Sequence, residues 1–147
     1  MVFYDSSWID FGTKVSLAEN IARTTGIEIK LLIGKTCIGE YNIAQKMSWA
    51  SCRETTRIED MAYSLMGIFD VNMPLLYGEG WKAFRRLEEE IIRTSTDQSI
   101  FAWKWSVAHP DRLEDKQPHH RGVLASSPID FQDSDRIVPN REDVYRN

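Results

Sequence analysis

Residues 56–94 read TRIEDMAYSLMGIFDVNMPLLYGEGWKAFRRLEEEIIRT, and their spacing decides the fold. Thr56-Arg57-Ile58-Glu59 has the pattern of a capping box. In such a box the Thr56 hydroxyl accepts from the third backbone amide and Glu59 reaches back to the start. Behind it, Ile58, Met61, Ala62, Leu65, Met66, Ile68 and Phe69 fall within an arc of about 160° at helical spacing, with Asp60 and Ser64 outside it. The spacing predicts an amphipathic helix over 57–69. Pro74 stops it, because proline disfavours helical geometry at the residue before it. A longer helix is predicted over 79–94, about 24 Å in length. Trp81, Phe84, Leu87, Ile91 and Ile92 share one face about 140° wide, with Lys82, Arg86, Glu89, Glu90 and Arg93 opposite. Glu89 and Arg93 stand in the favourable acid-first order, four apart. Glu88 breaks the pattern by projecting into the apolar stripe.

On the N-terminal side, Ile43 to about Cys52 reads as helix. Val2-Phe3-Tyr4 reads as a short strand followed by a turn near Gly12. Ser16-Leu17-Ala18-Glu19 predicts another capping box and a helix over 17–24, ended by Gly26. Ile27 to Leu31 alternates like a strand, although a helical turn fits nearly as well. Gly34 and Gly39 bracket a loop holding Cys37. On the C-terminal side, Phe101, Trp103 and Trp105 at spacing two predict a strand with one buried face. The charged, proline-containing stretch 107–121 reads as a polar loop. Residues 122–147 read as an irregular extension with one or two short strands. The expected architecture is therefore mainly α: a compact helical module over 1–106, with a few short β-strands at the N-terminus and in the C-terminal third. The faces of the two central helices pack on each other, with Trp49, Trp103 and Trp105 closing the core.

Composition bounds the function. The chain has 147 residues, 42% of them hydrophobic and 27% charged, which suits one globular domain. Five Trp, five Tyr and six Phe argue against disorder throughout. The net charge of −4 gives no electrostatic reason to expect nucleic acid or an anionic membrane as partner. No apolar run approaches the roughly 18 residues of a membrane span, and no secretory signal is visible. Cys37 and Cys52 form neither a disulfide framework nor a zinc site, and two thiols without a signal point to an intracellular, cytoplasmic setting.

The candidate chemistry is thin. Gly78-Glu79-Gly80 before a helix faintly suggests an anion site, but Glu79 puts a like charge there, and a turn needing glycine explains the residues. Glu88 reads either as a pocket acid with a raised pKa or, by preference, as a core-edge acid paired to Arg53 or Arg57. His109, His119 and His120 match no metal-ligand spacing. Arg53 and Arg57 lie within a turn of Cys52, which is too little to assign a reactive thiol. No catalytic, cofactor-binding or metal residue is assigned. The structural and interaction candidates are Trp49, Arg53, Thr56, Arg57, Glu59 and Asp60 before and on the central helix. Gly78 and Gly80 at the turn, Phe84 and Glu88 on the long helix, and Trp103 complete them.

Three blocks carry a family resemblance: Met47-Ser48-Trp49-Ala50-Ser51 with Arg53 to Arg57, Glu59 to Gly80, and Ala83 to Ile92 with Asp97 to Trp103. Together with Gly122 to Pro128, they resemble fungal heterokaryon-incompatibility (HET) domain proteins over roughly residues 1–139. The resemblance places this stretch immediately after the HET core. The core's own Ser-His-x-Trp, Trp-x-Asp-x-x-Cys-Ile and Arg-x-Trp-Thr-x-Gln-Glu segments have no counterpart here; Trp8-Ile9-Asp10 is followed by no Cys-Ile. Met1 then reads as a truncated start, a short gene model or a partial paralogue. The family's core resembles Toll/interleukin-receptor folds, some of whose relatives cleave NAD. The resemblance places the carboxylate that would carry out such cleavage in the core and carries no catalytic residue onto this chain. It implies a non-catalytic helical module of non-self recognition and cell-death signalling, without cofactor, that packs on a HET core or a protein partner. The alternative is a small NAD- or nucleotide-hydrolysing enzyme using Glu88 or Glu79 with Arg53 or Arg57. A third reading is an orphan fragment exposing an apolar surface that the core once covered.

Overall fold

The computed structural model describes residues 1–105 and 122–137. They form a mainly helical protein with a two-stranded antiparallel sheet at the N-terminus. The chain divides into two compact units, Met1–Tyr41 and Asn42–Asn147.

In the first unit, β1 (Val2–Tyr4) pairs with β2 (Asp10–Thr13), with a register shift between Phe3 and Tyr4. One Asp5 carboxylate oxygen accepts from the backbone amides of Ser7 and Ile9 at 2.8 and 2.9 Å, which shapes the connecting turn. Helix α1 (Ala18–Thr25) ends at Gly26 in the left-handed conformation, as its sequence requires. The capping box expected at Ser16 does not form. Its hydroxyl instead accepts from the Thr13 amide at 2.8 Å and donates to the Thr13 carbonyl, closing the preceding turn. Residues Ile29–Leu32 are one helical turn, α2, rather than a strand. Ala18, Leu32 and Tyr41 are buried here.

In the second unit, α3 (Ile43–Ser48) starts at a capping box that the sequence reading missed: Asn42 accepts from the Gln45 amide at 2.8 Å, and Gln45 reaches back. Two other first-turn amides are met from a distant turn. Ile43 donates to Asp97 at 2.8 Å and Ala44 to Ser99 at 3.1 Å. The helix expected over 57–69 is two pieces, α4 (Ile58–Tyr63) and α5 (Met66–Phe69). Ser64 sits at the break and donates its hydroxyl to the Met61 carbonyl, a local bond that competes with the helical ladder. Helix α6 runs Lys82–Thr94, not from Glu79, because Gly78 and Gly80 hold φ of 96° and 58° and cannot continue a helix. It buries Ala83, Phe84, Leu87, Glu88 and Ile91. Ile92, expected on the buried face, is exposed, and Trp81 is only half-buried. The charges on its outer face pair as Arg85 with Glu89 and Glu90 with Arg93, not Glu89 with Arg93.

The strand expected over Phe101–Trp105 is absent. Gln98–Phe101 is a 3-10 turn capped by Asp97, after which the chain is irregular. Trp105 is 58% exposed and Phe101 is exposed too, so the core is not closed by Trp105. Trp49 is buried, and Trp103 packs half-buried against the core, donating from its indole to the Val123 carbonyl at 3.0 Å. No strand forms among the described residues of the C-terminal third. Pro128–Phe131 is a 3-10 turn that delivers Phe131, fully buried, into the core against α3. Met47, Leu65, Leu87, Ile91 and Ile100 complete that core. The polar stretch 107–121, with His109, His119 and His120, lies outside the described residues, as does the tail after Ile137.

Candidate functional site

The polar residues of the central block converge on the segment 74–80. Glu59 does not reach back to Thr56. The N-terminal position of α4 is held by Arg57 without a side-chain cap, and Thr55 donates to the Arg57 carbonyl at 2.6 Å. Glu59 instead reaches across 19 and 21 residues: one of its oxygens accepts from the amides of Gly78 and Gly80 at 2.8 and 2.9 Å. Backbone donation from Gly80, its own amide and Gly78 holds its carboxyl below the usual range, against the opposing effect of burial. The two glycine amides form the kind of concave nest that binds anions, and this nest is filled by the protein's own carboxylate.

The neighbouring side chains fasten the same loop. Tyr63 accepts from the Leu76 amide at 2.8 Å and donates to Glu79 at 3.0 Å. Arg86 ion-pairs with that Glu79 oxygen and donates to the Pro74 carbonyl at 2.9 Å. Tyr77 donates to Asp60 at 3.0 Å, packs edge-on against Tyr63 with ring centroids 5.6 Å apart, and carries the Arg57 guanidinium 5.0 Å above its ring. Burial raises the Tyr63 pKa, and the bond to Asp60 raises that of Tyr77. Tyr63, Tyr77 and Arg86 are not among the candidates the sequence offers: Tyr63 falls outside the apolar arc, Tyr77 lies in the turn before the long helix, and Arg86 reads only as one of the outer-face charges.

Glu88 is a separate feature. It is completely buried on α6. One oxygen accepts from the Ala125 amide at 3.1 Å, and the other has no hydrogen-bond partner among the described residues. Loss of water pushes its pKa up to about 8; the Ala125 bond opposes this, the nearby Asp130 charge adds to it, and Arg85 and Glu89 act in opposite senses beyond that. Asp130, also buried, accepts from both the amide and the hydroxyl of Ser126 at 3.0 Å. The ion pair expected between Glu88 and Arg53 or Arg57 does not form: both arginines are exposed, whereas Glu88 is buried. Phe84 is buried one turn earlier on the same helix, and Thr56 is exposed. Among the described residues no group of three or more His, Cys, Asp or Glu is placed to hold a metal ion, and Cys37 and Cys52 are exposed free thiols.

Residues 82–147 match a family described as Domain of unknown function (DUF8212). Vegetative incompatibility protein HET-E-1 of Podospora anserina is 44% identical over 90 residues, 60% of this chain and 7% of that protein. No solved structure matches. Over that stretch the chain is similar to a fungal vegetative incompatibility protein. It spans about 7% of the length of the relative it matches.

Proposed function

We propose that this chain is a non-catalytic interaction module of fungal heterokaryon incompatibility, acting in non-self recognition and cell-death signalling by packing on a HET core or a protein partner. The observation that carries the reading is the 44% identity over 90 residues to a vegetative incompatibility protein, which supports a role in that process. Its side chains support the non-catalytic part. Glu59, Asp60 and Glu79 are each engaged by backbone amides, a tyrosine or Arg86, and the bonds they make order a loop. Deleting the gene and scoring fusion with an incompatible strain tests the biological role; unchanged incompatibility overturns it.

The hydrolase alternative draws on one observation, the buried Glu88 with its unpartnered oxygen and raised pKa. Incubation of the purified chain with NAD, following release of nicotinamide, separates the two. No release is expected. Turnover that disappears in Glu88→Gln overturns the non-catalytic reading.

A further inference from the structure

Leu75, Leu76 and Tyr77 are 55%, 52% and 53% exposed, three consecutive large side chains turned outward. Such a run normally buries itself or marks a contact surface. A loose loop would let them fold back, but this one is clamped at nearly every residue. Arg86 holds the Pro74 carbonyl, Tyr63 the Leu76 amide, Asp60 the Tyr77 hydroxyl, and Glu59 the amides of Gly78 and Gly80. Met73, just before the run, is buried and anchors it. The result is an apolar ridge held rigid before any partner arrives, and rigidity of this kind lowers the entropic cost of binding.

The charges around the ridge are unequal. Each carboxylate that fastens the loop is already committed: Glu59 to two amides, Asp60 to Tyr77, Glu79 to Arg86 and Tyr63. Arg57 is not. It lies over the Tyr77 ring, and no ion pair holds it among the described residues. The ridge therefore presents aliphatic and aromatic surface flanked by a guanidinium that stacks on Tyr77 but has no ion-pair partner among the described residues, and arginine and tyrosine, with tryptophan, are enriched where binding energy concentrates.

We propose that the Leu75-Leu76-Tyr77 ridge, with Arg57 beside it, is a docking surface for an acidic, apolar peptide segment of another protein. The proposal rests on the interaction-module reading and gives it a surface and a partner chemistry. The carboxylate of the segment meets Arg57, and its aliphatic or aromatic side chains cover the two leucines.

The test is selection of a random peptide library on the immobilised full chain, followed by titration of the selected peptides. The expected peptides carry Asp or Glu beside Leu, Ile or Phe. Their affinity should fall about tenfold or more for Leu75→Ser with Leu76→Ser and for Arg57→Glu, and less for Arg57→Lys. Because these side chains are exposed, the variants should melt as the parent does, which separates lost binding from lost folding. A failure to enrich any peptide, or enrichment of basic ones, overturns the proposal. Peptides that bind the variants as well as the parent also overturn it, while leaving the interaction-module reading standing with its surface elsewhere. Concentration-dependent dimerisation abolished by the leucine changes overturns it in favour of a second copy as the occupant.

Discussion

Glu88 carries a carboxyl that is neutral over most of the physiological range. Its folded pKa of about 8 lies above the ordinary value of 4.5. The folded state therefore binds more protons than the unfolded state between those values, so stability falls as pH rises through that window. The contribution is fully present below pH 4.5 and has been lost once pH passes about 8. Glu88→Gln keeps the shape and the acceptor for Ala125 but cannot ionise. Thermal melts of the two proteins should run parallel near pH 5 and diverge by several degrees near pH 8.5, with the variant higher. Curves that stay parallel across the range would show that the carboxyl ionises at the same pH folded and unfolded, so that burial does not raise its pKa. Sequence alone revealed that this residue interrupts the apolar stripe. It did not reveal why, because the Ala125 amide that it receives lies 37 residues further on.

At the scale of the elements, α4 packs on α6, and Ala62 on α4, Leu65 just after it, and Phe84 and Leu87 on α6 are buried in one cluster. Phe84→Ala should cost about 3–5 kcal/mol and Leu65→Ala about 2–5 kcal/mol, each a large part of a typical net stability of about 5–15 kcal/mol. Denaturant titration reads this directly, and an unchanged midpoint for both would mean the two helices do not form a shared core. Glu59→Gln should lower the melting midpoint by a few degrees at pH 7 by weakening the bonds to Gly78 and Gly80. Its folded pKa is depressed, so its contribution is present above the ordinary value of 4.5 and is lost as pH falls. Parent and variant should therefore converge in acid; a gap that persists there would assign the effect to packing. The buried faces were legible because 3.6-residue periodicity is local. The break at Ser64 and the late start of α6 were not. One involves a hydroxyl that bonds the Met61 carbonyl three residues back, the other two glycines adopting positive φ to face Glu59. The aromatic alternation over 101–105 misled for a related reason: a strand needs a neighbouring strand, and the chain here meets the Asp130 carbonyl and the Val123 carbonyl instead.

For the molecule as a whole, the family match and the folded unit begin at different places. The match starts at residue 82, the first residue of α6. The core that covers α6 is drawn largely from earlier residues: Ile43, Ala44 and Met47 on α3, Ala62 and Leu65 around α4, and Met73 ahead of the ridge. Residues 82–147 alone would expose Phe84, Leu87 and Ile91 to water, and burying each such side chain contributes roughly 1.5–3 kcal/mol. They would also leave Glu79 behind while keeping its partner Arg86. The unit that starts at Asn42 retains the α3 cap, both central helices and the Glu59 clasp. A protein spanning 42–147 should therefore give dispersed amide resonances and a cooperative melt, whereas 82–147 should give neither. If 82–147 matches the longer piece in dispersion and cooperativity, the packing of α4 on α6 is dispensable, and the unit that folds is the shorter matched segment.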